Sequence, residues 1–411
     1  MLRVASTCGI WLLALVATVP MASAAGSSAV EQLAKFLAEP DGQRGAISKQ
    51  PFADQPLSRA EAARARKLLI TDWRRRLHAE RSAELASGSI TIGDHTMPIF
   101  YRTFGKKPAS GRSLFISMHG GGGAPAEVND QQWKNQQRLY EPAEGVYVAP
   151  RAPTDNWNLW HEPHIDRLFE RLIEDMIIVE EVDPNRVYVM GYSAGGDGVY
   201  QLAPRMADRW AAAAMMAGHP NETSPLGLRN VPFTLHMGEL DAAYDRNKIA
   251  AEWRDKLADL QKADPQGYRH HVEIHPGKGH WMDREDAVAV EWMAKFTRNA
   301  FPKRIVWKQD DVTRRQFYWL AVDEANEKAG AELRAEIDGQ TIRLTSDDVP
   351  AATVLLNDKM LDLDQPVEII AGERTAFTGK IPRTIVMLAK SLDERGDPTT
   401  LFSGETQVDL H

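Results

Sequence analysis

From Val146 to Phe296 the chain alternates short apolar runs with longer amphipathic stretches, the rhythm of strand, helix and strand in a mostly parallel sheet. The strand-like runs are Val146 to Val148, Arg186 to Met190, Ala211 to Met216, Phe233 to His236 and His271 to Ile274. Between them, Ile165, Leu168, Phe169, Leu172, Ile173, Met176 and Ile177 recur at the three- and four-residue spacing of a helix with one buried face. Ile249 to Leu260 and Ala287 to Phe296 fit further helices. Upstream, Ile90, Ile92, Pro98 to Tyr101 and Leu114 to Met118 read as short strands broken by Gly and Pro. Before those, Ser58-Arg59-Ala60-Glu61 has the form of a capping box, and Leu68, Leu69, Trp73 and Leu77 follow at helical spacing. After Pro302 the helical period largely disappears, and runs such as Arg304 to Trp307, Phe317 to Leu320, Thr341 to Leu344 and Thr353 to Leu356 predict a separate β-rich unit.

These patterns predict four segments. They are a signal peptide over 1–24, a helical extension over 25–85, an α/β domain with a doubly wound sheet over 86–302, and a small β-rich domain over 303–411. The first segment rests on Arg3, the apolar run Ile10 to Val19 and the small residues Ala22-Ser23-Ala24, which together suit a cleaved export signal and a periplasmic or secreted location. That apolar run is about half the roughly 20 residues needed to span a bilayer, so no membrane association is expected after cleavage. Cys8 is the only cysteine and precedes the apolar run, so the mature chain is expected to lack disulfides, thiol nucleophiles and zinc–thiolate sites. A net charge of -8 over 411 residues argues against a nucleic-acid partner. Arg74-Arg75-Arg76 and Arg314-Arg315 read as solvated faces.

Chemistry enters with Gly191-Tyr192-Ser193-Ala194-Gly195, which directly follows one buried strand and opens a helical pattern. A sharp strand-to-helix turn lifts a serine hydroxyl clear of the sheet, and side chains flanking it would collide, so glycine is required on both sides. His119-Gly120-Gly121-Gly122-Gly123 follows the Leu114 to Met118 strand, where main-chain N–H groups can approach a developing oxyanion. Gly121 or Gly122, with Ala194, are the expected donors, and His119 is expected to orient their loop. A nucleotide-binding loop is disfavoured, because no Lys-Ser or Lys-Thr follows.

Of the 12 histidines, His280 is best placed as general base, since Pro276-Gly277-Lys278-Gly279 lets its loop turn over Ser193. His270, His271 and His275 lie on or beside the preceding strand and read as structural or exposed. The orienting acid should follow the Phe233 strand, where Asp241 leads and Glu239 and Asp245 are rivals. No cofactor is expected. The spacing of His161 and His164 suggests a metal pair, but Pro163 makes a shared helical register doubtful and no third ligand is evident, so no metal site is expected. Trp157, Trp160, His161, Tyr192 and His219 are candidates for lining the substrate cleft. Packing beneath a loop is the competing role for the aromatic ones.

With these motifs the stretch from Ser89 to Pro302 resembles the α/β-hydrolase superfamily, and within it the secreted polyhydroxybutyrate depolymerases and feruloyl esterases. The resemblance implies a serine carboxylic-ester hydrolase with the chain order Ser193, Asp241, His280, acting on a small or polymeric ester. It departs from that esterase group in lacking cysteine for disulfides. A serine peptidase with the same triad and a catalytically silent polymer-binding protein are the alternatives.

Overall fold

The computed structural model describes residues 27–411, so the proposed leader, including Cys8, lies outside the described residues. Two helices open the described chain, α1 (Ala29–Ala38) and α2 (Arg59–Ser87), and each begins on a complete capping box, Ser28 with Glu31 and Ser58 with Glu61. Then follow β1 (Ser89–Ile92), β2 (His95–Phe104), β3 (Arg112–Met118), α3 (Ala126–Gln136), β4 (Gly145–Pro150), α4 (Pro163–Val179), β5 (Val182–Tyr192), α5 (Ala194–Arg205) and β6 (Ala212–Met216). The α/β part ends with β7 (Phe233–Gly238), α6 (Arg246–Ala263), β8 (His270–His275) and α7 (Val288–Met293).

The eight strands form one sheet in the order β1-β2-β4-β3-β5-β6-β7-β8, antiparallel at β1-β2 and β2-β4 and parallel from there on. That order, with its antiparallel edge, is the α/β-hydrolase topology. Alternation along each strand feeds two cores. Leu114, Ile116, Val187 and Val189 point to the face covered by α4, α5 and α6, and Phe115, Tyr188 and Met190 to the face covered by α3 and α7. The carboxyl ends of β3, β5, β7 and β8 therefore converge on one rim, where such sheets place their ligands.

Beyond Pro302 come β9 (Arg304–Lys308), β10 (Gln316–Phe317), β11 (Leu320–Ala321), β12 (Glu332–Asp338), β13 (Thr341–Asp347), β14 (Ala351–Leu356), β15 (Val367–Ala371), β16 (Arg374–Gly379), α8 (Ile385–Arg395) and β17 (Gly404–Asp409). They make a five-stranded and a four-stranded sheet. The run Phe317 to Leu320 is not one strand: Tyr318, at φ 54°, turns the chain back so that β10 pairs with β11. Helix α8 also departs from the expected loss of helical period; Thr384 caps its start and left-handed Gly396 its end.

This C-terminal region is not packed as a separate body. Trp319 and Leu392 share one continuous apolar core with Leu33 and Trp73 of the N-terminal helices and with the main sheet. Arg314 is correspondingly no solvated residue: its guanidinium is buried against Asp166, 2.9 Å away, and Glu170, 2.6 Å away, both on α4. No helix among the described residues is long and apolar enough to cross a membrane.

Candidate active site

Ser193 stands between β5 and α5 with φ 59° and ψ -123°, a conformation that a non-glycine residue keeps only under constraint from its surroundings. The constraint is visible on both sides. A side chain at Gly191 would place its Cβ 2.2 Å from the carbonyl oxygen of Gly195, and one at Gly195 would come 2.2 Å from that of Met118. The Ser193 N–H donates to the Met216 carbonyl at 2.9 Å, fixing the turn against β6.

The hydroxyl of Ser193 lies 2.9 Å from His280 Nε2, and His280 Nδ1 lies 2.7 Å from Asp241 Oδ2. Asp241 is buried, whereas the imidazole is 44% exposed, so the pair opens directly toward solvent on the serine side. The loops bearing the two residues touch: Gly238 lies so close to the Gly279 carbonyl that a Cβ would sit 2.0 Å from it. The rivals have other duties. Glu239 accepts the Gly277 N–H at 2.8 Å and so braces the histidine loop, while Asp245 is exposed and pairs with Lys248.

The glycine loop is held from below by His119, which is fully buried. Its Nε2 accepts the Ala152 N–H at 3.1 Å, which leaves Nδ1 to donate to the Gly120 carbonyl at 2.6 Å. Burial lowers the His119 pKa to about 4 and keeps that ring neutral. Gly120 packs against the Cβ of Ser193. Of the two proposed glycine donors, Gly122 is already engaged: its N–H donates to Asn129 Oδ1 at 2.9 Å, which removes it from an oxyanion-binding role. The N–H groups of Gly121 and of Ala194, at the first turn of α5, have no acceptor among the described residues.

Asn129 escaped the sequence reading, because an Asn within a helical pattern ordinarily faces water. Here it is fully buried and also donates to the Ala124 carbonyl at 3.2 Å and to Asp155 Oδ1 at 2.8 Å. Arg151 clasps Asp155 at 2.5 Å and Asp130 at 2.9 Å. A second unforeseen carboxyl, Asp197 in the first turns of α5, accepts the His219 N–H at 2.6 Å, and burial raises its pKa to about 6.

The five cleft candidates separate. Trp157 is 63% exposed and lies over Gly123. Trp160 is fully buried with its Nε1 donating to the His119 carbonyl at 2.9 Å, so it supports the glycine loop and cannot touch a ligand. His161 is buried against the edge of Trp157, and His164 stacks on His95 with ring centres 3.8 Å apart, so the suspected metal pair faces different partners. Tyr192 is buried, donates its hydroxyl to the His280 carbonyl and accepts the Met282 N–H, which makes it a clamp on the histidine loop and not a cleft wall. His219 turns its Nδ1 to the Asn221 N–H and sits beside α5.

The dienelactone hydrolase family model matches residues 149–305. A putative esterase, NocK, of Nocardia uniformis subsp. tsuyamanensis is 33% identical over 131 residues, which are 28% of this chain and 37% of that relative. This chain thus spans little more than a third of the curated relative it matches. Solved structures similar to it include a thermostable esterase (TM-score 0.36, 17% identity, 51% of this chain and 62% of that one) and an acetyl xylan esterase from Aspergillus awamori (TM-score 0.35, 12% identity, 50% and 97%). The chain has the α/β-hydrolase fold, and the part of it that carries Ser193, Asp241 and His280 matches the dienelactone hydrolase family model.

Proposed function

We propose that this protein hydrolyses carboxylic esters through a covalent acyl-enzyme. The observation that carries the reading is the unbroken relay from Ser193 Oγ to His280 Nε2 and from His280 Nδ1 to Asp241, built on a serine held at positive φ. His280 takes the serine proton as Oγ attacks the ester carbon, and the N–H groups of Gly121 and Ala194 receive the oxyanion. Collapse expels the alcohol, protonated by His280. Water then attacks the acyl-serine by the reverse proton path. Asp241 holds the imidazole in the tautomer that presents a bare Nε2 to the serine.

For the substrate we propose an ester with an extended apolar or aromatic surface. Of the six large exposed apolar side chains on the described residues, all but Val288 of α7 (Val128, Trp157, Leu240, Tyr244 and Trp281) sit on segments next to the glycine loop, Asp241 or His280. Such a rim suits a broad ligand better than a small polar one. We propose also that the chain acts after export, on the strength of its first 24 residues; N-terminal sequencing of the periplasmic or secreted protein tests this. For the chemistry, a fluorophosphonate probe should label wild-type protein and not Ser193→Ala, and p-nitrophenyl acetate should be cleaved far faster than aminoacyl-p-nitroanilides. An unlabelled wild type would remove the nucleophile, and a preference for the anilides would make the protein a peptidase.

A further inference from the structure

On the sheet face covered by α7, β7 and β8 bring together a group of side chains that the ester chemistry does not use. The parallel pairing sets His236 opposite Glu273, with His275 two residues further along β8 on the same face. His236 and His275 are both buried, and His236 Nδ1 lies 3.2 Å from His275 Nε2. The Glu273 carboxylate spans the two rings without bonding to either: Oε2 is 3.9 Å from His236 Nδ1 and Oε1 is 4.0 Å from His275 Nδ1. One donor atom from each of the three lies within 4.8 Å of the others.

We propose that His236, His275 and Glu273 form a binding site for a divalent transition-metal ion of zinc-like preference. Two imidazoles and one carboxylate are the donor set that zinc accepts, and ligands at its usual bond lengths stand about 3.3 Å apart around a tetrahedral ion. His236 Nδ1 and His275 Nε2 are already at that spacing, and the half-exposed Glu273 carboxylate, 3.9 Å from His236 Nδ1, has to swing toward them to complete the set. The outer nitrogens are supported as metal-bound imidazoles are: Thr234 Oγ1 lies 3.0 Å from His236 Nε2, and Glu285 Oε2 lies 3.4 Å from His275 Nδ1. The site is distinct from the triad, yet His236 and His275 each stand five residues before a triad member, Asp241 and His280.

The test is zinc binding by the chelator-stripped full chain, followed by calorimetry with Zn²⁺ alone and by the visible spectrum of the Co²⁺ form. One equivalent should bind, Co²⁺ should give the absorption of a tetrahedral nitrogen and oxygen site, and His236→Gln and Glu273→Gln should each weaken binding about tenfold or more. Glu273 is 45% exposed, so Glu273→Gln folds even where His236→Gln does not, and it decides the matter alone. His280→Ala should bind zinc like the wild type. Failure of the wild type to bind an equivalent, a loss of less than tenfold in Glu273→Gln, or loss of binding in His280→Ala, which would put the ion on the triad, would each overturn the proposal.

Discussion

A single buried carbonyl or amide decides much of what the site residues can do. Ser193→Ala and His280→Ala should each lower turnover of p-nitrophenyl acetate by several orders of magnitude, with circular dichroism unchanged, because the triad works as a unit. Asp241→Asn should be far more damaging than Glu239→Gln or Asp245→Asn, since only the Asp241 carboxylate faces His280 Nδ1; a crippled Asp245→Asn enzyme would contradict that assignment. Asn129→Ala strands the half-buried Gly122 N–H and releases the glycine loop, so kcat should fall by up to about 10²-fold with KM little changed. The meeting of Ser193, Asp241 and His280 was legible in the sequence because each sits in a short motif whose glycines report backbone geometry. Asn129, Trp160 and Tyr192 were not legible in their roles, because which way a side chain points from a loop or helix depends on neighbours distant in sequence.

Among the elements, the β5–α5 turn is the least tolerant of change. Gly195→Ala would drive a Cβ into the backbone of β3, which cannot yield without parting the sheet, so that variant should lose both activity and melting temperature, readable by calorimetry. Acid should loosen the loops on either side of α5 as well. Burial lowers His119 and His161 to about 4 from an ordinary value near 6.5, so the stability they contribute is complete above pH 6.5 and is lost as pH falls through 4. Asp197, raised to about 6, acts in the opposite direction, its contribution being complete below pH 3.8 and lost as pH rises through 6. The buried histidines outweigh one carboxyl, so the urea midpoint should fall between pH 7 and pH 4.5; a flat midpoint would show that these rings are not held neutral. The strands and the amphipathic α4 were plain from periodicity, which survives any packing partner. The α8 helix was missed although Thr384 and Gly396 bracket it, because strand-like runs surround it; the Phe317 hairpin was missed because a tyrosine at positive φ carries no local signal.

Across the whole molecule, the region after Pro302 is tied to the hydrolase sheet by buried charge. Arg298 meets Asp397 at 2.6 Å with both side chains almost fully enclosed, Arg395 meets Asp208 at 2.5 Å, and Arg314 meets α4. Truncation at Pro302 would strip Asp208, Asp166 and Arg298 of these partners and uncover the apolar surface that the hydrolase sheet now shares with Trp319 and Leu392. The truncated chain should therefore aggregate, as light scattering after size exclusion would reveal, and a monodisperse, esterase-active fragment would show the region to be dispensable. The shared core also governs the order in which the protein can be built. The bridge between Leu57 and Arg383 joins positions more than three hundred residues apart, and α2 rests beside α8. A ribosome making this chain releases α2 long before α8 exists, so the face of α2 that meets α8 waits uncovered through nearly the whole of synthesis, although the face that meets α4 is covered sooner. Closure of that seam is accordingly held back until the last elements emerge, and for that interval the nascent polypeptide should depend on a chaperone to keep it from associating with its neighbours.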